Sequence, residues 1–444
     1  MRVLPVRDLP ARTARPWRNW SRNVSAVPLR MERPAGIAQL QRSVADAAAG
    51  GLRVKAVGAG HSFTAIAATE GVQLDLSRLQ GLLEVDTSRA RVRLLAGTRL
   101  HRIPELLAPF GLAMPNLGDI DRQSIAGAVS TGTHGTGAAF GGLSTQVAGL
   151  TLVQPDGGLL AVEEDDPLLP AAALGLGALG VIADVTLQCV PAFVLQAEER
   201  SEPLGQVLEG LSDRVKATDH FEFYWFPHTD RAATKSNTRL PGWSARRPLP
   251  AAGRWVDETL LSNTVFRATC AAGRLVPAVV PPVNRVAARL LGGREYTDAA
   301  PRVFTQRRTV RFREMEYAVP ADRLAAAFAA LRDLIDERRW RISFPVEVRW
   351  AAADDRWLST AYGRDTAYLA MHRYYREDCR EYFDAAEAVM LAHGGRPHWG
   401  KLHSLDAAAL ARRYPRFDDF RAVRDRLDPD RVFANSYLER VLGS

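Results

Sequence analysis

The sequence predicts an α+β protein of two domains, and three observations carry that expectation. Up to Pro191 short β-patterned runs alternate with stretches of amphipathic helical spacing, and at Pro191 the pattern changes register. Beyond it, alternating runs such as Phe221-Glu222-Phe223-Tyr224-Trp225-Phe226 and the strands expected at Arg313–Tyr317 and Ile342–Trp350 flank a helix at Ala321–Asp336. That order suits a sheet layer rather than βαβ winding. Third, two stretches rich in small residues, Val57–Phe63 and Ser124–Gly137, both lie before the boundary, where backbone must lie close against something.

The entry segment Trp17–Val27 reads as irregular. Pro34–Ala49 follows with Ile37, Leu40 and Val44 at helical spacing. A strand then runs through Val54-Lys55-Ala56-Val57 into Gly58-Ala59-Gly60-His61-Ser62-Phe63. Two glycines one residue apart let backbone N–H groups approach a diphosphate. An ordinary dinucleotide fingerprint would need a third glycine opening a helix, and here a histidine follows instead. Short strands are expected at Val72–Leu76, Leu82–Val85 and Ala90–Leu95, then a helix at Leu100–Phe110 ended by Gly111. Asn116–Gln123 leads into Ser124–Gly137, a stretch with few side chains larger than valine, which reads as ligand-facing backbone packed on one side through Ile125, Ala126 and Val129. Strands at Leu150–Val153, Leu159–Val162 and Val181–Val190 close the first domain. Gly175-Leu176-Gly177-Ala178-Leu179-Gly180 matches GxGxxG, but a helical stretch precedes it and a strand follows, so it reads as a packing turn.

In the second domain, Glu347 and Arg349 stand two apart on a strand and share a face opposite Val346 and Val348. This is either an ion pair on a solvent-facing stripe or a polar ligand site. His372 lies in the strand Tyr368–His372. Arg396–His403 gathers two histidines, Trp399 and Lys401, but His398 and His403 lack a third ligand nearby, so no metal is expected.

Composition bounds the rest. The chain has 444 residues, 47% hydrophobic and 24% charged, which are globular values. A net charge of +8 fits an anionic cofactor or an acidic surface, while the absence of a basic run interleaved with aromatics argues against nucleic acid. Cys189, Cys270 and Cys379 have neither metal nor disulfide-framework spacing, so a reducing cytoplasm is expected. No apolar leader is seen in Met1–Pro16, and the longest apolar stretches are too broken to span a bilayer. A soluble protein is expected, with peripheral membrane contact left open.

Together these segments resemble the aldonolactone oxidoreductases: the L-gulonolactone and D-arabinonolactone oxidases and their dehydrogenase relatives, within the vanillyl-alcohol-oxidase-type FAD flavoproteins. The marks are Val57–Ser62, Ser124–Gly127 with Thr131–Gly135, Glu347-Val348-Arg349, Arg396–Lys401 and Phe433–Leu438, in the family's order. The resemblance implies a two-domain FAD-binding (PCMH-type) fold: an FAD domain over 1–190, a mixed-sheet substrate (cap) domain over 191–390, and a segment 391–444 returning to the flavin. It implies cofactor contacts from Val57, Gly58, Ala59, Gly60, His61, Ser62 and Phe63, and from Gly118, Asp119, Ser124, Gly127, Thr131, Gly132, Thr133, His134, Val181 and Ile182. His61 would carry FAD covalently. Glu347, Arg349 and Lys401, with His372, would line a substrate pocket at the flavin face.

The implied activity is oxidation of an L-gulono- or D-arabinono-1,4-lactone to an ascorbate-like product, with hydride passing to flavin N5. Dioxygen or another electron carrier would be the acceptor. Oxidation of an alditol is the alternative, since His372 matches a pocket histidine of alditol oxidases, and a non-redox flavin-binding module is a second. Two departures stand out. Asp119 replaces a serine of several relatives, and Gly118 beside it leaves no side chain to block oxygen.

Overall fold

The computed structural model describes residues 16–290 and 293–444, so the leaderless reading of residues 1–15 falls outside the described residues. The first architectural unit is a three-stranded parallel sheet in which Val72–Asp75 lies between Arg30–Glu32 and Val54–Val57. Parallel neighbours need a crossover, and the helix Ile37–Ala49 supplies it, burying Leu40, Val44 and Ala47 on one face. Trp17–Val27 is more ordered than its sequence suggests, because Trp17–Arg18 pairs with Ser25–Ala26 as a small hairpin.

A five-stranded antiparallel sheet follows, ordered Leu159–Val162, Val147–Val153, Val181–Gln188, Arg91–Leu95, Leu82–Asp86. The interior strand Val147–Val153 is buried along its whole length, which is why no alternation marks it. The expected strand Val181–Val190 ends at Gln188, and Val190–Pro191 pairs instead with Leu112–Ala113.

The second half builds an eight-stranded antiparallel sheet. Its order is Arg294–Ala299, Phe193–Pro203, Arg231–Pro241, His220–Trp225, Val346–Ala351, Thr366–Tyr374, Phe312–Pro320, Arg396–Pro397. One face is apolar. Phe221, Phe223, Val346, Val348, Met315, Tyr317, Leu369 and Met371 pack there against the helices Leu324–Glu337 and Arg380–Ala392. The expected strand Ile342–Trp350 begins only at Val346, since Pro345 has no N–H for the ladder. The proline- and arginine-rich stretch near Leu240–Arg254 is a loop only in its middle. A strand reaches Pro241 and helical structure starts at Ala251, continuing to Leu275, with a second helix at Val280–Leu290. Pro281 and Pro282 sit in the first turn of that helix, where a missing N–H costs nothing.

The end of the chain packs back on its beginning. The Val54 amide donates to the Val432 carbonyl at 2.7 Å. The Asn435 amide group donates to the carbonyls of Ala65, Ile66 and Ala68, while its Oδ1 caps the helix Ser436–Leu442.

Candidate active site

Two connected cavities define the site. A narrow trough is lined by Val57, Gly58, Ala59, Gly60, Ser124, Gly127, Val181 and Ile182. It meets a cavity of about 990 Å³, and His61, Ser62, Gln123 and Thr131 line both. The trough is built by close approach: a Cβ on Gly58 would run into the Ser124 hydroxyl, and Gly60 has φ +67°. Among the described residues, the amides of Ala59, Gly60, His61 and Ser62 donate to no acceptor of the chain. Unspent donors on a small-residue loop suit the oxygens of a diphosphate, so these residues fit the nucleotide half of FAD. The wide cavity beyond His61 accommodates a flavin ring.

The Gly175–Gly180 turn also borders the trough through Leu176, Gly177 and Gly180, beyond the packing role read from sequence. Lys55 crosses beneath, its ammonium donating to the carbonyls of Phe433 at 3.0 Å and Gly177 at 3.2 Å. Burial pushes Lys55 down to about 7, against the pull of Asp428. His61 is pushed down to about 4 by burial, helped by Arg99, Lys401 and Arg122, so its imidazole is neutral and stacks on Trp20 at 5.3 Å.

The wide cavity is roofed by the second face of the eight-stranded sheet. Glu347 and Arg349 share it with Tyr224, Glu314, Glu316 and His372, all lining the cavity. Register explains the grouping: Glu347 stands opposite both Tyr224 and Ala370, Ala370 opposite Glu316, and His372 opposite Glu314. Two ionic clusters result. Arg349 pairs with Glu347, with Glu222 at 2.8 Å and with Asp119 at 3.5 Å, and Arg308 reaches Asp119 at 3.6 Å. Two guanidiniums thus face three carboxylates. Glu347 is the carboxyl that this imbalance raises: burial lifts it to about 7, opposed by Arg349 and assisted by Asp119 and Glu222. Burial would also raise Asp119, yet Arg349, Arg308 and Lys401 outweigh it and hold the carboxyl at about 2. An acid in place of serine at 119 is therefore balanced by Arg308 and Arg349.

In the second cluster Lys401 pairs with Glu314 and lies 3.9 Å from Glu316. Burial lowers the lysine, but the two glutamates win and raise it above the ordinary lysine value. Lys401 is an ammonium and not a base. Glu316 also meets His134 Nε2 at 3.1 Å, and His134 stacks on Tyr368 at 3.6 Å. His372 Nε2 is 3.5 Å from Glu314. His134, Glu316 and His398 offer ligand atoms within 4.8 Å of one another, but the cation beside them is Lys401, and His398 Nδ1 already accepts the Gly400 amide. His403 lies apart, against the Tyr437 hydroxyl at 3.2 Å.

Of the residues singled out from sequence, Phe63, Gly118, Asp119, Thr131, Thr133, His134, Glu347, Arg349, His372 and Lys401 line the wide cavity. Gly132 lines neither; it has φ +77° and packs toward Leu174. Gly118 lines the cavity, and a Cβ there would stand 2.9 Å from the His134 carbonyl oxygen, so a side chain at this position would force the backbone to shift. Sequence reasoning missed Glu222, Tyr224, Glu314 and Glu316. The signal was present, because each alternates with Phe221, Phe223, Met315 or Tyr317 in the same polar-apolar rhythm as Glu347 and Arg349.

The profile of the D-arabinono-1,4-lactone oxidase family matches residues 185–441, more than half of the chain. The chain belongs to the D-arabinono-1,4-lactone oxidase family. An FAD binding domain matches residues 28–163. L-gulono-1,4-lactone dehydrogenase of Mycobacterium tuberculosis strain H37Rv is 45% identical over 429 residues, spanning 96% of this chain and 99% of the relative. L-gulonolactone oxidase of Bos taurus is 33% identical over 96% of this chain and 98% of its own. Alditol oxidase of a Streptomyces strain is 32% identical with the same coverage. Cholesterol oxidase from B. sterolicum superimposes with a TM-score of 0.81 over 96% of each chain at 19% identity, a likeness of fold alone. These matches bear out the PCMH-type α+β fold and the aldonolactone-oxidoreductase resemblance. This D-arabinono-1,4-lactone oxidase family member is an FAD-linked oxidoreductase.

Proposed function

We propose that the chain oxidises a sugar-derived 1,4-aldonolactone of the L-gulono or D-arabinono type. The observation that carries this is the polar sheet face. Buried carboxylates, a guanidinium and an ammonium converge on a cavity continuous with the FAD trough, as a hydroxyl-rich ligand requires. Bound FAD supplies the hydride acceptor at N5. Arg349 and Lys401 donate charge-assisted hydrogen bonds to oxygens that gain negative charge as the carbinol carbon is oxidised. Glu347, with a pKa near neutrality, takes the hydroxyl proton, and Tyr224, whose hydroxyl is 3.3 Å from it, orients that carboxylate. Glu314 and Glu316 keep Lys401 charged.

The test is anaerobic stopped-flow flavin reduction across aldonolactones and alditols. Bleaching by lactones and not by alditols supports the reading. Fast bleaching by alditols alone would transfer it to the alditol class, which His372 in the cavity favours. No bleaching by either would leave a binding module. The identity of the acceptor rests on reoxidation of the reduced protein by dioxygen compared with a quinone or cytochrome.

Two further expectations belong to this reading. His61, neutral at the junction of trough and cavity, holds the flavin covalently through the 8α-methyl. Acid-precipitated protein should then stay yellow, and His61→Ala should release its flavin. Colour lost from the native protein in acid would refute the bond without touching the fold. Second, a carboxyl at about 7 that must be ionised to accept a proton makes flavin reduction rise with pH through that value. The inflection should vanish in Glu347→Gln, with the rate lower by about a hundredfold or more. An unchanged inflection would place the base elsewhere.

A further inference from the structure

Exposed large hydrophobic side chains are concentrated in one part of the molecule. Trp243, Trp255, Leu260, Leu275, Val276 and Leu290 are all exposed within the helical hairpin and the loop leading to it, Trp243 at 87% and Leu275 at 76%. The helix Val280–Leu290 shows how this arises. Val280, Asn284 and Ala288 face inward, leaving Val286 and Leu290 outward beside Arg285 and Arg289. Between residues 243 and 290 the sequence has seven arginines and only two acidic residues, Asp257 and Glu258. Among the described residues, the exposed Arg246, Arg247, Arg285 and Arg289 have no carboxylate partner.

The same hairpin borders the wide cavity. Val256, Leu261, Val265, Phe266, Val286 and Leu290 line its outer arm, and Leu290 is 73% exposed there. Hydroxyls of a sugar lactone would find few partners on these aliphatic groups. The outer arm thus serves something other than the polar end. No helix among the described residues is long and apolar enough to cross a membrane.

We infer that the hairpin docks on the surface of an anionic lipid bilayer, so that the apolar arm of the cavity opens against the acyl region. Charge complementarity selects this occupant: unpaired arginines beside outward tryptophan and leucine are the pattern of an interfacial helix. Indoles sit at the headgroup level with the aliphatic side chains below them. A second copy of the chain would bring the same cationic surface against itself, and like charges would oppose that contact.

The test uses FAD-loaded protein floated with phosphatidylcholine vesicles, with and without phosphatidylglycerol. Binding should favour the anionic vesicles by at least about tenfold and fall with added salt. Brominated lipid should quench part of the tryptophan fluorescence, and Trp243→Phe with Trp255→Phe should remove that part. Arg285→Glu with Arg289→Glu should weaken binding by at least about tenfold. Neither residue lines the cavity, so flavin content and flavin reduction in solution should stay at wild-type values. A Trp243→Ser, Leu275→Ser variant that keeps its flavin should also lose vesicle binding. Equal binding to neutral vesicles, or none to either kind, would overturn the proposal. So would a concentration-dependent dimer that the serine variant abolishes while vesicles recruit nothing.

Discussion

Arg349→Ala lowers the unfolding free energy by about 3–5 kcal/mol near pH 8, the cost of leaving buried charges without their partner. Three carboxylates depend on this guanidinium: Glu347, Glu222 and Asp119. Without it, Arg308 alone faces them, and burial drives their folded pKa values above the unfolded ones. A carboxyl with a raised folded pKa penalises folding fully above that pKa, and the penalty fades as pH falls to the unfolded pKa. The deficit should therefore shrink as pH falls towards 5. Denaturant midpoints of wild type and variant at the two pH values check this. A loss under 1 kcal/mol at both would show the cluster to be solvated rather than buried.

Lys401→Met slows flavin reduction at saturating substrate by at least about a hundredfold, roughly 3 kcal/mol of barrier, while FAD stays bound. Its structural cost is smaller than that of Arg349→Ala. Glu316 retains His134 at 3.1 Å and Glu314 retains His372 at 3.5 Å, so neither carboxylate is abandoned. Single-turnover reduction, measured beside flavin content and melting temperature, separates the two effects. An unchanged reduction rate would leave Lys401 as a brace between strands.

What could be read in the sequence was local. The Gly58–Gly60 turn and the Glu347–Arg349 alternation stand in a few consecutive residues, and the first domain's strands and helix are spaced by ordinary periodicity. What could not be read was pairing at a distance. Phe312–Pro320 carries the same alternation as Val346–Ala351, but nothing local says that Thr366–Tyr374 lies between them and brings Glu316 and Glu347 opposite Ala370. The helix Val280–Leu290 was hidden by Pro281 and Pro282 in its first turn, and the one starting at Ala251 by the prolines that run up to Pro250, where sequence alone suggests a loop. At Gly118 the sequence shows a missing side chain but not that the His134 carbonyl lies 2.9 Å from where its Cβ would stand.

The bond from Lys55 to the Phe433 carbonyl joins residues 378 positions apart. A ribosome adding about 5–20 residues per second needs roughly 20–80 s to make that interval. For that time the Gly58 loop exists without Phe433, which lines the trough, and Val54 lacks its partner Val432. Asn435 has not yet gathered the carbonyls of Ala65, Ile66 and Ala68. The nucleotide end of the trough is therefore assembled last, although most of its loops are made first. The flavin pocket stays open at one end until residues 432–435 have been made, so firm cofactor retention waits for them.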